Sequence, residues 1–241
     1  MYRTRQPFQR HAARSKSIVY ITGLCHHCIF LPPMSSLSIL NPTYRRDNLA
    51  PFYLLDDIFT SEELDAITQY CKAGGTQKAM VMQSRGAIVA DDSLRKSDIM
   101  MHGVNRENQW IFSRVAEAFD AANRDAYNFE LDGFNVFQYG EYNDQGAHYE
   151  YHMDVSFASV SDRFVIGRKL SLSVMLNDAS EFTGGEFQMV IDSQTMQSPI
   201  TVPHRRGRFV FFPAFMVHRV APVRSGTRKS LVFWALGPKF R

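Results

Sequence analysis

The most regular pattern in the chain is an alternation of two sets of residues: Leu170, Leu172, Val174 and Leu176 on one side, and Ser171, Ser173, Met175 and Asn177 on the other. This period of two belongs to a β-strand, in which successive side chains point to opposite faces of a sheet. Four further segments read as strands separated by turn-forming residues: 134–142, 185–192, 208–212 and 228–236. A series of short strands with turns between them predicts a barrel or a sandwich.

The half of the chain before these strands contains two helical patterns. Thr60 and Glu63 have the spacing of a capping box, and the helix that they begin is expected to end near Lys72, before Gly74 and Gly75. A second helix fits residues 106–127, where six apolar residues recur at helical spacing. They are Trp110, Ile111, Val115, Ala118, Phe119 and Ala122. We therefore predict an all-β core buttressed by N-terminal helices.

The positive charge of the chain is concentrated at its start. The formal net charge is +3, but residues 1–33 hold five basic residues and no acidic ones, so the rest is slightly acidic. This distribution argues against nucleic acid as a partner of the main body. We predict that residues 1–33 are a basic, disordered extension and that residues 34–241 form the folded domain; a targeting peptide is the alternative for the extension.

Composition also excludes some locations. No apolar run approaches the roughly 18 residues that a membrane span needs, so no membrane association is predicted. Cys71 is the only cysteine after residue 33, which excludes a disulfide framework in the body. This cysteine usage fits a reducing compartment, and we expect the protein to be cytoplasmic.

Three residues have the chemistry of a metal site. In an extended segment, His152 and Asp154 point the same way and can bind one ion. His218, which follows a predicted strand, is the best candidate for a third ligand. Two histidines and one carboxylate on one face of an octahedron make the facial triad of non-haem Fe(II) oxygenases, with open positions for a cosubstrate and O₂.

A candidate carboxylate receptor lies downstream of these residues. Arg228, Ser230 and Trp234 share one predicted face of the last strand, while Leu231, Phe233 and Ala235 share the other. An arginine with a hydroxyl two residues away can bind a carboxylate, because the guanidinium group donates as a bidentate fork. A diacid could therefore chelate the metal at one end and meet Arg228 at the other.

Taken in order, these motifs resemble the prolyl 4-hydroxylase-like family of Fe(II)- and 2-oxoglutarate-dependent dioxygenases, especially microbial and phage members regarded as prolyl or lysyl hydroxylases. The resemblance covers about residues 130–238. The motifs are Tyr139, Tyr149-Glu150-Tyr151-His152-Met153-Asp154, Leu176-Asn177, Gly184-Gly185-Glu186-Phe187, Pro213, His218-Arg219-Val220, Pro222-Val223, Gly226-Thr227-Arg228 and Trp234.

The resemblance implies a fold, a set of cofactors and a role for each site residue. The fold is a double-stranded β-helix (a cupin-like jelly roll), and the cofactors are Fe(II), 2-oxoglutarate and O₂, with ascorbate as a candidate reductant. The implied iron ligands are His152, Asp154 and His218. Arg228 would bind the distal carboxylate of 2-oxoglutarate, with Tyr139 as a hydroxyl donor to it. Tyr149, Ser230 and Trp234 are the remaining expected pocket residues.

The sequence allows more than one interpretation at several positions. The segment between Tyr139 and His152 is longer than in the relatives, so Tyr142 is an alternative to Tyr139. On a regular strand His148 would share the ligand face, although exposure at the barrel rim is the favoured interpretation. Three other positions are expected to be solvated: His102, His204 and the pair Arg95-Lys96.

The predicted function is hydroxylation of an unactivated C–H bond, with release of succinate and CO₂. The favoured substrate is a peptidyl prolyl or lysyl side chain, and a free amino acid or another small metabolite is the alternative. A non-catalytic jelly-roll binding module is the alternative from a different class. The sequence does not specify the oligomeric state.

Overall fold

A computed structural model describes residues 50–82, 88–143, 146–155, 167–192 and 195–238. The predicted extension over residues 1–33 lies outside these ranges. The helices are α1 (Ser61–Ala73) and α2 (Gln109–Ala122), and α2 continues into a π-helical turn over Asn123–Tyr127. No helix in the described ranges has the length and apolar character that a membrane span requires.

Most of the remaining chain forms two antiparallel sheets. The strands of the larger sheet, in spatial order, are β1 (Tyr53–Leu55), β13 (Phe209–Pro213), β9 (Arg168–Met175), β16 (Arg228–Leu236), β7 (Val136–Tyr142), β6 (Asp98–Gly103) and β2 (Gln77–Lys78). Those of the smaller sheet are β12 (Ile200–Thr201), β11 (Phe187–Val190), β14 (Val217–Val220), β8 (His148–His152) and β5 (Arg95–Lys96).

Two short ribbons complete the strands. They pair β3 (Val81–Met82) with β4 (Ile88–Val89), and β10 (Phe182–Gly184) with β15 (Val223–Gly226). Strands far apart in the chain are neighbours in both sheets, as in a double-stranded β-helix. The predicted all-β core with N-terminal helices is therefore confirmed.

The capping box of α1 forms as predicted. The Glu63 amide donates to Thr60 Oγ1 at 3.2 Å, and the Thr60 amide donates to Glu63 Oε2 at 2.9 Å. The helix ends at Ala73, directly before Gly74. Local side-chain to backbone hydrogen bonds of this kind can be recognised from sequence, because both partners lie within one turn.

Helix α2 begins later than expected. The Asn108 amide donates to Asn105 Oδ1 at 3.1 Å, and the Asn105 amide donates to Asn108 Oδ1 at 2.7 Å. This reciprocal pair holds the chain in a turn and delays the helix until Gln109. Trp110 is 38% exposed, so it lies at the margin of the predicted apolar face, with its ring edge against Phe59.

The larger sheet has an apolar core on each side. One face packs against both helices and includes Leu170, Leu172 and Val174 from β9. The other face points into the space between the two sheets and carries Ser171, Ser173 and Met175, which are also buried. The alternation in β9 therefore separates two interiors rather than a core from solvent.

Three positions expected at the surface are buried or partly buried. His102 is 8% exposed and stacks on Phe137, with ring centroids 5.0 Å apart. His204 Nε2 lies 2.7 Å from the Asn177 carbonyl oxygen. Arg95 is 6% exposed, because it pairs with Tyr149 across β5 and β8 instead of occupying a solvated turn.

Candidate active site

His152, Asp154 and His218 converge between the two sheets. His152 ends β8 and pairs with His218 on β14, and Asp154 follows two residues after His152. One potential ligand atom from each residue lies within 4.8 Å of the others. Asp154 Oδ1 is 3.8 Å from His152 Nε2, and Asp154 Oδ2 is 3.8 Å from His218 Nε2. The structure thus brings together the three residues predicted as metal ligands.

Hydrogen bonds orient both imidazole rings. His152 Nδ1 donates to the Glu150 carbonyl at 2.8 Å, and His218 Nδ1 donates to the Met216 carbonyl at 2.8 Å. Because a carbonyl only accepts, Nδ1 carries a proton in both rings, which makes Nε2 the atom that can bind an ion. Burial, with the neighbouring His218, lowers the pKa of His152 to about 3, so this ring is neutral at physiological pH.

Asp154 is buried but remains ionised. Burial alone would raise the pKa of its carboxyl, but His218, His152 and Arg168, together with a hydrogen bond from Ser171, hold that pKa below its ordinary value. Ser171 Oγ donates to Asp154 Oδ2 at 2.6 Å. The backbone is held as well, since the Asp154 amide donates to the Ala214 carbonyl at 2.9 Å.

A β-bulge in β8 determines which side chains join the ligands. His152 is opposite His218, whereas Tyr149 is opposite Val220, so β8 has one more residue than β14 over this stretch. The extra residue turns Tyr149 inward, where its ring stacks on His152 with centroids 3.5 Å apart. His148 lies instead within hydrogen-bonding distance of the Gly146 and Ser93 carbonyls.

Arg228 forms the far wall of the same interior. It is 1% exposed, and it donates to Ser230 Oγ at 3.1 Å and to the Met175 sulfur at 3.4 Å. Among the described residues, no acidic side chain forms an ion pair with it, and its Nε has no hydrogen-bond partner. Burial lowers its pKa. A buried guanidinium group without a carboxylate fits an anionic ligand.

Neighbouring residues hold Arg228 in place. The Asn177 side chain accepts from the Lys229 amide and donates to the Thr227 carbonyl, both at 2.9 Å, so it bridges the backbone on either side of Arg228. Gly185 has a φ of +66°, and a Cβ there would lie 3.0 Å from Arg228 Cδ. The Gly184-Gly185 motif therefore makes room for the arginine as well as a turn.

Tyr139 lies on the wrong face of β7 for the cosubstrate role. It pairs with Leu231 and is buried in the core beneath the helices, where its hydroxyl donates to Glu141 Oε1 at 2.6 Å. Tyr142 pairs with Arg228 and lies in the interior between the sheets, with the guanidinium carbon 5.4 Å from its ring centroid. The structure therefore brings Tyr142, and not Tyr139, to the site.

The other predicted pocket residues are near the cluster. Trp234 is 6% exposed and pairs with Ser171, and its indole Nε1 is buried without a partner in the described part of the chain. Ser230 contacts Arg228 as described above. The predicted positions of Tyr149, Ser230 and Trp234 all face the interior that holds the triad.

Two arginines at the site were not predicted. The Arg168 guanidinium lies over the Trp234 ring at 3.9 Å, and the Arg95 guanidinium lies over the Tyr149 ring at 4.3 Å. Arg95 Nε donates to Ser97 Oγ at 3.0 Å. The sequence signal for Arg95 is weak, because a two-residue strand has no periodicity and its partner strand follows over 50 residues later.

A family model matches this part of the chain. Residues 136–236 match the model of the 2OG-Fe(II) oxygenase superfamily, and this segment contains the triad, Tyr142, Arg228 and Trp234. This match covers less than half of the chain.

Bacterial PKHD-type hydroxylases are similar to part of this chain in sequence. One from Janthinobacterium sp. (strain Marseille) is 32% identical over 90 residues, which cover 37% of this chain and 38% of that protein. One from Shewanella oneidensis is 32% identical over 101 residues, which cover 42% and 40% respectively. The match thus spans about two fifths of the length of these relatives.

Solved structures resemble a larger part of the chain. A Pseudomonas putida prolyl-4-hydroxylase superposes with a TM-score of 0.58 at 20% identity, covering 78% of this chain and 94% of that one. A Trichoplax adhaerens prolyl hydroxylase, solved with a peptide fragment of the hypoxia inducible factor oxygen degradation domain, gives 0.60 at 16% identity, covering 78% and 84%. At these identities the likeness shows a shared double-stranded β-helix fold.

Proposed function

We propose that this protein is an Fe(II)- and 2-oxoglutarate-dependent hydroxylase. The observation that carries the proposal is the buried Arg228 guanidinium, without an acidic partner among the described residues, in the interior that also holds the His152, Asp154 and His218 cluster. A metal-ligand cluster with a separate guanidinium group suits a diacid ligand. One end of the diacid would chelate the iron, and its other carboxylate would pair with the guanidinium group. The donor set of two imidazoles and one carboxylate suits Fe(II).

Each residue of the site has a role in this proposal. His152, Asp154 and His218 hold the iron, and Arg228, Ser230 and the Tyr142 hydroxyl bind the distal carboxylate of 2-oxoglutarate. The loaded cofactors supply oxidative chemistry in which O₂ is consumed, a C–H bond is hydroxylated, and succinate and CO₂ are released. Trp234 and Tyr149 present their rings beside the ligands and exclude water from the reacting centre.

The proposed substrate is a prolyl or lysyl side chain in a peptide. The similar bacterial proteins are named hydroxylases, and the Trichoplax structure holds a peptide. In this chain, the Arg95 and Arg168 guanidinium groups lie over the Tyr149 and Trp234 rings beside the site. Comparing peptides with free amino acids as substrates separates the two substrate classes.

We place the protein in the cytoplasm, because the relatives are bacterial and Cys71 is a free, buried thiol. Ascorbate is the proposed reductant, as the family resemblance implies.

The test is an anaerobic titration of the full chain with Fe(II) and 2-oxoglutarate, followed by the visible charge-transfer band of the chelate. We expect a band in the wild type and none in His152→Ala. Incubation with O₂ and Pro- or Lys-containing peptides should then add one oxygen atom to the peptide, detected by mass spectrometry. A folded wild-type protein that forms no band would contradict the proposal and favour a binding module.

A further inference from the structure

We propose that Ser171 is a positioning residue that fixes which oxygen of Asp154 is presented to the metal ion. This inference rests on the proposed metal centre and adds a residue to it. Ser171 lies in the middle of β9, on the face turned toward the triad, and its side chain is fully buried. Its hydroxyl reaches Asp154 from 17 residues further along the chain, so sequence alone does not pair the two residues.

The two carboxylate oxygens of Asp154 have different surroundings. Oδ2 accepts the Ser171 hydroxyl at 2.6 Å, a distance typical of a strong hydrogen bond to an ionised group. In the described part of the chain, Oδ1 accepts no hydrogen bond, while each oxygen lies 3.8 Å from a histidine: Oδ1 from His152 Nε2 and Oδ2 from His218 Nε2. The hydrogen bond therefore occupies one oxygen and leaves Oδ1 for coordination, so Asp154 binds through a single oxygen.

The position of Ser171 is itself rigid. Its backbone pairs with Phe212 on β13 and with Trp234 on β16, so both sides of the residue are held by central strands of the larger sheet. Asp154, in contrast, lies outside regular structure, just beyond the end of β8. A rigid donor next to a less constrained ligand is the arrangement in which a supporting hydrogen bond orients the ligand.

The chain offers a matched control in Ser173. This residue has the same side chain, lies on the same face of the same strand and is 4% exposed, but it pairs with Val210 and Val232 and forms no hydrogen bond with Asp154. Ser173→Ala therefore removes a buried hydroxyl from β9 without changing the support of the ligand. Ser171→Thr keeps a hydroxyl at residue 171, from which it can donate to Asp154 Oδ2.

The experiment measures Co(II) affinity and the visible Co(II) absorption spectrum of the full chain, with thermal unfolding of the metal-free proteins recorded in parallel. We expect Ser171→Ala to weaken Co(II) binding by about 10- to 100-fold and to change the absorption spectrum, because the freed Oδ2 can also bind the ion. Ser171→Thr and Ser173→Ala should bind Co(II) as the wild type does.

The outcomes separate this inference from the proposed function. If Ser171→Ala lowers the melting temperature but binds Co(II) with wild-type affinity and spectrum, the hydroxyl has only a structural role and the inference is wrong, while the metal centre stands. If Ser173→Ala weakens binding as much as Ser171→Ala does, the inference is likewise overturned. If the wild type and His152→Ala both fail to bind Co(II), the metal centre itself is absent and both proposals fall.

Discussion

At the scale of single residues, charge inside the barrel is the feature that requires explanation. Arg228 is among the largest fully buried side chains of the described residues, and its own contacts are a serine hydroxyl and a thioether. Neither neutralises a guanidinium group, and burying a cation without a counter-charge is costly. The cost is offset when an anion binds, which makes this residue a strong determinant of affinity for the diacid.

Replacing Arg228 with alanine should therefore weaken 2-oxoglutarate binding selectively. Loss of one partner of a buried charge pair costs about 2–5 kcal/mol, so we expect the Kd for 2-oxoglutarate to rise by at least about 30-fold while Fe(II) affinity is kept. Anaerobic titration of the charge-transfer band measures both constants. Lys229→Ala, the next residue on the same strand, is the control. Unchanged 2-oxoglutarate binding in Arg228→Ala would show that the cosubstrate sits elsewhere.

The two tyrosines of β7 show how the alternation of side chains along a strand decides which residue faces the site. Tyr139 and Tyr142 are three residues apart, so a regular strand places them on opposite faces and only one can meet Arg228. Sequence motifs identified the two candidates, but the choice depends on the register in which β7 pairs with β16. That register is a contact between distant segments, and residue type alone does not determine it.

At the scale of elements, local signals were predicted better than pairings. The capping box of α1 and the full length of β16 follow from residues within one turn or one strand, and both are confirmed. The bulge in β8 was not predicted, because an extra residue is defined only by comparison with the partner strand β14. Because of the bulge, Tyr149 lies beside the metal ligands, where a regular strand would place His148.

The β10–β11 turn links backbone conformation to the binding of the diacid. Gly185→Ala introduces a Cβ 3.0 Å from Arg228 Cδ at a φ of +66°, whereas Gly75→Ala introduces one in open space at a φ of +75°. Both variants should lose about 1–2 kcal/mol of folding stability from the left-handed backbone. Only Gly185→Ala should also raise the Kd for 2-oxoglutarate. Chemical denaturation and 2-oxoglutarate titration measure the two effects, and equal 2-oxoglutarate affinity in both variants would contradict the steric argument.

At the scale of the whole molecule, His102, which sequence patterns predict at the surface, is instead buried. Burial lowers the pKa of His102 below its ordinary value of 6.5, and its Nε2 has no hydrogen-bond partner in the described part of the chain. The burial of His102 could not be predicted from its neighbours in sequence. The elements that cover this face of β6 are distant in the chain. The pKa change makes the stability of the fold depend on pH.

The sign of this dependence follows from proton uptake. The unfolded chain binds a proton at His102 near its ordinary pKa of 6.5, while the folded chain resists protonation until lower pH. The contribution of His102 to the free energy of unfolding is therefore constant above about pH 6.5. It falls as the pH drops from about 6.5 toward the lower pKa of the folded state. We expect His102→Phe to reduce the slope of stability against pH between about pH 6.5 and the lower pKa of the folded state. Urea denaturation at several pH values tests this, and an unchanged slope would contradict it.

A second prediction at this scale concerns the N-terminal extension. If residues 1–33 are a separate basic segment, a chain that begins at Met34 should keep the melting temperature, the Fe(II) and 2-oxoglutarate affinities and the turnover of the full chain. The comparison is direct once the charge-transfer assay is in place. A loss of stability or of affinity in the shorter chain would show that the extension belongs to the folded domain.

The alternation along β16 has a consequence for how such a barrel can diversify. Leu231, Phe233 and Ala235 support the helices, whereas Arg228, Ser230 and Trp234 face the cluster of ligands. Mutations at the odd-numbered residues of β16 are therefore selected mainly for their effect on folding. Mutations at the even-numbered residues are selected mainly for their effect on ligand binding. Because adjacent residues of this strand are under different selective pressures, its ligand-facing residues can change while the residues that stabilise the fold are kept.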